Sequence, residues 1–474
     1  MHFDKTVAAC AFAAVALCAY GRGMSGSPRH DVSPVAGEET AVWQRKIDAA
    51  ASAGGGIVSV PAGVHRVGQL VLRSNVELHL EEGAVLLGLC GIERYGRMEL
   101  PYSEGTWSAV VFAFGETNVS VSGKGEIDGG GKSWPYEIPC PKGICKEGLR
   151  ARGLFFGDCR NVRLEDFTLR DSACWGIVFK RCDGVLARRV VIDNHAHRNN
   201  DGFDIEAKNV SIIDCDVDSG DDAICVKSND PFFTVENVLV SNCTARSHCN
   251  GLKLGTASHG TMRNIRFVGC RTGNPLRNFI VRDGEHAGRQ AYWWRCSWEF
   301  PLGIGNGAIN VENVDGGTVE DVVFDGIEAY GFSVPIFVRG GRRTRRTCGI
   351  PPSDRLVMRN ITLRNIRGEA CSAHASSITG VDACRPRNVR LENVHITCRG
   401  SGSGECSEPD SSYDGRYPDA SMFDRIRLPA YGLYIDRADG VELVDVSFSL
   451  RKGDSDGRPA VYESRRRAPD GKVP

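Results

Sequence analysis

Net charge is almost absent: 58 Lys and Arg stand against 59 Asp and Glu, a formal balance of -1 over 474 residues. No overall positive field exists to gather a polyanion, so nucleic-acid binding has no compositional support, although local basic patches stay open. Long apolar runs are equally scarce. After the stretch Val7 to Tyr20, itself short for a membrane helix, nothing approaches the roughly 20 apolar residues that span a bilayer. Zinc spacing is missing too: no Cys-x-x-Cys pair or Cys/His grouping occurs, and no metal or other cofactor is expected. Helical periodicity is confined to one short segment near the start.

What is present describes a soluble, core-forming chain, with 41% hydrophobic and 25% charged residues and 56 glycines for tight turns. Lys5, the apolar run and the small residues around Ala19-Tyr20-Gly21 read as a secretory signal over residues 1–23, which places the mature protein outside the cytoplasm, secreted or periplasmic. Lipid anchoring through Cys10 or Cys18 is the alternative. Export permits disulfides, and Cys140 with Cys145 in a Pro/Gly-rich loop are candidates. Of 19 cysteines, 17 remain beyond the leader, so at least one thiol stays unpaired. Cys215, Cys243 and Cys270 recur at the ends of similar phrases and read as small apolar side chains stacked inside a coil.

Residues 40–53 (TAVWQRKIDAAASA) carry Val42, Ile47 and Ala50–Ala51 on one side and stop at Gly54-Gly55-Gly56, which predicts a short amphipathic helix. β-Branched alternating runs follow without intervening helices. From Gly153 onward the phrases repeat loosely, as in NVRLEDFTLRDSACWGIVF, NVSIIDCDVDSGDDAICVKS and NVLVSNCTARSHCNGLKLG. A turn ending in Asn or Gly, a short strand, a polar corner and another short strand recur at a period in the twenties. That predicts an all-β, single-stranded right-handed parallel β-helix over residues 35–450, with the first helix capping one end and a polar tail over 451–474. Leucine-rich repeats compete structurally, but their leucine-asparagine spacing is missing. Three stretches, 131–149, 284–305 and 400–429, break the rhythm. Their aromatics, Trp134 and Tyr136 in the first and Tyr292, Trp293, Trp294 and Trp298 in the second, suit either sugar stacking or hydrophobic plugs.

The densest carboxylate group in the repeats is Asn199-Asn200-Asp201-Gly202-Phe203-Asp204, followed by Ser219-Gly220-Asp221-Asp222. Asp201 and Asp221 lie 20 positions apart, close to one coil, so the two groups should be separated by one strand spacing of roughly 4.8 Å. Paired carboxyls at that offset suit glycosidic hydrolysis, in which an acid protonates the leaving oxygen and a carboxylate activates water; inverting enzymes hold the two roughly 6.5 to 9.5 Å apart. Clustering also raises at least one pKa and keeps a proton for the acid. Asp221 and Asp222 can share a site only if the backbone turns there, which Gly220 allows. An isolated Asp pair would be corner decoration; two groups one coil apart favour a site. A calcium site is the other reading.

These residues resemble glycoside hydrolase family 28, the polygalacturonase family of parallel β-helices. Its Asn-Thr-Asp motif is similar to Asn199-Asn200-Asp201 and its paired-aspartate motif to Gly220-Asp221-Asp222, with GGGIVSVPAG, SNVELHLEEGA and GEIDGGGKSWPY extending the likeness over most of residues 38–330. The resemblance implies that Asp221 is the general acid and that Asp201 and Asp222 activate water in a single inverting displacement on a pectin-like polysaccharide, by a monomer. Two departures stand out. The family's Gly-His-Gly falls on Cys249-Asn250-Gly251, leaving His248 as a neighbouring substitute, and its carboxylate-gripping Arg-Ile-Lys has no match near Asn306 to Glu312. Lys227, Lys253 and Arg282 are therefore the candidate substrate cations, beside Asn250 and His248. A polysaccharide lyase and a carbohydrate-binding adhesin on the same architecture are the alternatives.

Overall fold

A computed structural model describes residues 36–102, 106–136, 149–277, 304–343 and 356–464. The signal segment, Cys140, Cys145, Arg282 and the second aromatic stretch lie outside the described residues. The single α-helix among the described residues, Thr40–Ser52, forms where predicted, and Gly54 and Gly55 at φ 98° and 124° end it. Its inward face holds Ile47, Ala50 and Ala51 as expected, with Trp43 in place of Val42. Trp43 and Ile47 are buried and Val42 is 41% exposed, because the four-residue step from Trp43 to Ile47 follows the helical period and the step from Val42 does not.

Most of the other described residues form a parallel β-helix. Strands stack in register into three parallel faces, and the third carries the site: Ile177–Arg188, Phe203–Ile213, Ile224–Ser228, Asn250–Ser258, Gly305–Asn313 and Glu328–Gly340 contribute to successive rungs. Alternation sends Ile177, Phe203, Ile224, Leu252, Ile309 and Ile336 inward as one fully buried row. Val178, Asp204, Cys225, Lys253, Asn310 and Phe337 form the outward row beside it.

The corners are built by asparagine. Asn209, Asn237 and Asn264 sit at φ 56°, 56° and 52°, a left-handed conformation that Asn tolerates, and their amides link Asp183 to Asn209 to Asn237 to Asn264 at 2.7, 2.9 and 2.7 Å. Cys215, Cys243 and Cys270 each follow another left-handed residue, Asp214, Asn242 and Gly269, and are buried, free and stacked, as the repeat phrases suggested. The helix also runs past the expected boundary at 450: Val461–Glu463 pairs with the strand Leu433–Asp436, since its alternating residues meet the edge of one more rung. Residues 405–430 fold back on the outside, where Ala420, Met422, Phe423, Leu428 and Ala430 pack against Val334, Phe337, Ala375 and Tyr434 of the third face.

Candidate active site

The carboxylates meet at the corner that leads into the third face. Phe203 pairs with Ile224 and Ile224 with Leu252, so the same register places Asp201 beside Asp222 and Asp222 beside Asn250 on consecutive rungs. Gly202 permits this approach, since a Cβ there would meet the Ala223 carbonyl at 2.4 Å. The true step between Asp201 and its partner is one residue longer than the Asp201 to Asp221 count, which makes Asp222 the rung neighbour. Asp221 lies just past the strand Asp216–Ser219, where the chain turns; the Ser219 and Ser247 hydroxyls donate to its carbonyl at 2.7 and 2.5 Å and fix the turn. Its carboxylate faces Asn199 Nδ2 at 3.5 Å and accepts from the Asp222 amide at 3.1 Å.

Two lysines divide the carboxylates electrically. Lys227 Nζ touches Asp201 at 2.9 Å and Asp204 at 2.5 Å, over the Trp175 ring at 4.6 Å. Lys253 Nζ touches Asp222 at 3.0 Å, and Asn250 Nδ2 donates to the same carboxylate at 2.7 Å. Burial and the adjacent Asp204 push Asp201 well above the ordinary carboxylate range against the pull of Lys227. Burial acts the same way on Asp222, but Lys253, Lys227 and the Asn250 hydrogen bond outweigh it and hold the group at about 2. One rung therefore favours a proton and the next favours a charge.

The other predicted residues divide accordingly. Asn250 and Lys253 are buried and turned onto Asp222; Lys227 is mostly buried and turned onto Asp201 and Asp204. His248 lies in a separate group, its Nε2 on the Arg277 carbonyl at 2.8 Å and its ring edge-on to His195, with burial lowering it to about 4. His195 in turn bonds Asp218 at 2.9 Å, and His197 sits on the Pro135 carbonyl with Arg150 against its other nitrogen. Trp134 and Tyr136 are buried as plugs, the latter stacked on His197. Sequence reasoning missed Arg150, which pins Asn199 at 3.0 Å, and the outward position of Asp204 beside Val178 and Cys225. It also missed Trp107 and Trp175, which enclose Arg152 and line, with Lys180, Asp204 and Glu206, a small hollow beside Lys227.

Asp221, Asp222 and Cys249 bring three donor atoms within 4.8 Å, as do Asp193, His195 and Asp218. The first group already has Lys253 and Asn250 on Asp222, and in the second Arg277 takes Asp193 while the Leu276 amide takes Asp218. These cations and donors occupy the charge a metal would use.

The model of the glycosyl hydrolases family 28 matches residues 56–271 and 308–414, more than half of the chain and both aspartate motifs. The chain belongs to this family. Among family 28 relatives, a probable polygalacturonase of Arabidopsis thaliana is 30% identical over 231 residues, covering 42% of this chain and 48% of its own length. An exopolygalacturonase of Cochliobolus carbonum is 23% identical over 307 residues, with 60% and 62% covered. The chain thus spans about half to two thirds of the length of these curated relatives. In fold it is similar to a hyperthermoactive exopolygalacturonase of Thermotoga maritima, with a TM-score of 0.59 at 21% identity over 76% of this chain and 84% of that one.

Proposed function

We propose that this family 28 chain hydrolyses glycosidic bonds of a pectin-like acidic polysaccharide, galacturonan or rhamnogalacturonan, by single-step inversion outside the cytoplasm. The observation that carries the reading is the gathering of Asp201, Asp221 and Asp222 at one corner of consecutive rungs, with Asp222 held charged by Lys253 and Asn250. Inversion needs both states at once, an acid for the leaving oxygen and a charged base for water. In this reading Asp221 donates to the leaving oxygen, Asp222 is the charged base, and Asp201 shares the water while Lys227 holds it in place. The coils wind right-handed, the sense that twisted parallel strands favour, and the chain acts as a monomer.

Substrate choice follows from what replaces the carboxylate grip. The family's Arg-Ile-Lys has no match near Asn306 to Glu312, and Lys227 and Lys253 already serve carboxylates of the protein. Plain polygalacturonate is therefore a poorer substrate than a branched or differently substituted polymer. The segment 405–430 packs on the outside of the third face, and in this reading it bounds one side of the groove and favours attack from a chain end.

The test is a reducing-end assay over galacturonan, rhamnogalacturonan and neutral or sulfated polymers, with product anomers followed by proton NMR. The expected outcome is release of inverted, saturated ends that survives EDTA. Unsaturated, ultraviolet-absorbing products, or activity abolished by EDTA and restored by calcium, would make the chain a lyase, and binding without release of ends would make it an adhesin.

A further inference from the structure

Behind the catalytic carboxylates lies a second layer that family likeness does not assign. Lys253 Nζ stands between Asp222 Oδ2 at 3.0 Å and Glu312 Oε2 at 3.8 Å, and the three side chains are almost wholly enclosed. The ammonium is 2% exposed and Glu312 not at all, so neither presents a surface on which a sugar could rest. The contact with Asp222 is of hydrogen-bond length and the contact with Glu312 is not. Both oxygens of Glu312 are buried without a hydrogen-bond partner, an arrangement that a charged carboxylate does not tolerate and a neutral one endures.

We propose that Lys253 is a positioning residue which keeps the Asp222 carboxylate charged and aimed, and that Glu312 is the neutral back wall that leaves this ammonium undivided. The inference rests on the hydrolase reading for its reaction. Its geometry stands without it.

The surroundings of Glu312 support the assignment from each packed element. Lys253 and, beyond it, Asp222 face it from the preceding rungs, and Asp419 and Tyr417 from the folded-back segment. Arg343 is the other cation nearby, and it is paired with Asp315 at 2.9 Å. Arg339, in register beside Glu312 on the next rung, reaches instead to Asp414 at 2.8 Å. Burial together with Asp419 and Asp222 pushes Glu312 to about 8 against the pull of Lys253. Were it charged at working pH, it would compete with Asp222 for one ammonium.

The test measures kcat and KM against pH for wild type, Lys253→Met, Lys253→Arg, Glu312→Gln and the Met/Gln double variant. Lys253→Met is expected to move the acid limb of kcat upward by about one pH unit or more, so that its loss relative to wild type grows as pH falls and reaches about tenfold on the acid side of both limbs, with KM within about threefold. Lys253→Arg recovers part of that shift. Glu312→Gln, which makes the neutral state permanent, keeps the limb at its wild-type position, and the double variant has the limb of Lys253→Met. A tenfold rise in KM with an unmoved limb would make Lys253 a substrate contact. Loss of kcat equal at every pH, with Lys253→Arg no better than Met, would make it structural only; either result overturns the proposal. If wild type cleaves none of the polymers, the substrate reading has failed, and the coupling is then judged by infrared titration with Asp222 assigned by Asp222→Asn. A carboxylate band of Asp222 that moves to higher pH in Lys253→Met supports the proposal, and an unmoved band overturns it.

Discussion

Asp221 is the side chain whose replacement probes the site with least disturbance to the fold. Asn at this position keeps size and the hydrogen bond to the Asp222 amide but cannot transfer a proton, so kcat should fall by about 10² to 10⁴ with an unchanged melting temperature. Asp201→Asn and Asp222→Asn should fall by similar factors, and pairs of replacements should be less than additive because the three act as a unit. Folded variants with near-wild-type turnover would send the search for the centre elsewhere. Glu312 gives a prediction on stability whose sign follows from its raised pKa. Below pH 4.5 folded and unfolded chains both hold the proton and the residue contributes nothing. As pH climbs from 4.5 to 8 the unfolded chain releases a proton the folded one keeps, so Glu312 increasingly destabilises the fold, levelling off above 8. Glu312→Gln should thus raise unfolding free energy at pH 7 by on the order of 3 kcal/mol and leave it unaltered near pH 4, as read by urea titration. For Asp222 the sign is opposite: its paired charge stabilises the fold above about pH 4 and this is lost as pH falls through about 2.

At the scale of the rung, the exposed asparagine corners carry both backbone shape and a hydrogen-bonded ladder. Asn237 donates to Asn209 and accepts from Asn264, at φ 56°. Asn237→Ala removes the side chain whose local hydrogen bonding lets Asn tolerate the left-handed region and breaks both bonds, and should cost about 1 to 3 kcal/mol, whereas Asn237→Gly relieves the backbone and should cost less. Equal losses in chemical denaturation would mean that the ladder, rather than the φ angle, holds the corner. These corners also explain what was legible in the sequence. The Asn or Gly before each strand and the Cys after it announced the coil, its buried thiols and its approximate length. Register was not announced. Coil lengths change from rung to rung, and a one-residue slip transfers every side chain to the opposite face. Counting therefore brought Asp201 and the Asp221-Asp222 group together, yet it did not tell which of the two aspartates is the rung neighbour of Asp201. The same limitation hid the partnership of Lys253 with Asp222, since only the register places residues 222 and 250 side by side and leaves Lys253 projecting on the outer row.

Across the whole molecule, a solenoid supplies an open groove, and what closes it must come from departures in the repeat. The described departure with most influence here is 405–430. Its short helical turn Ala420–Phe423 packs Phe423 against Phe337 and Tyr413, while Asp414 binds Arg339 at 2.8 Å and Tyr417 meets the Thr256 hydroxyl at 2.9 Å. Phe423 is the hydrophobic anchor, 4% exposed within a cluster distinct from the solenoid core. Removing it should cost the segment about 3 to 5 kcal/mol of packing, the scale for Phe→Ala at a buried site. The loss falls on the segment rather than on the coils, because each rung is supported by its neighbours and low-stability units open on their own. Phe423→Ala should accordingly be nicked by protease within 405–430 at temperatures where the solenoid keeps its circular dichroism. If the segment is the barrier that confines attack to chain ends, the same variant should release oligosaccharides of mixed length where wild type releases short, uniform products. Nicking without a change in product length would show that the groove is closed by some other part of the chain.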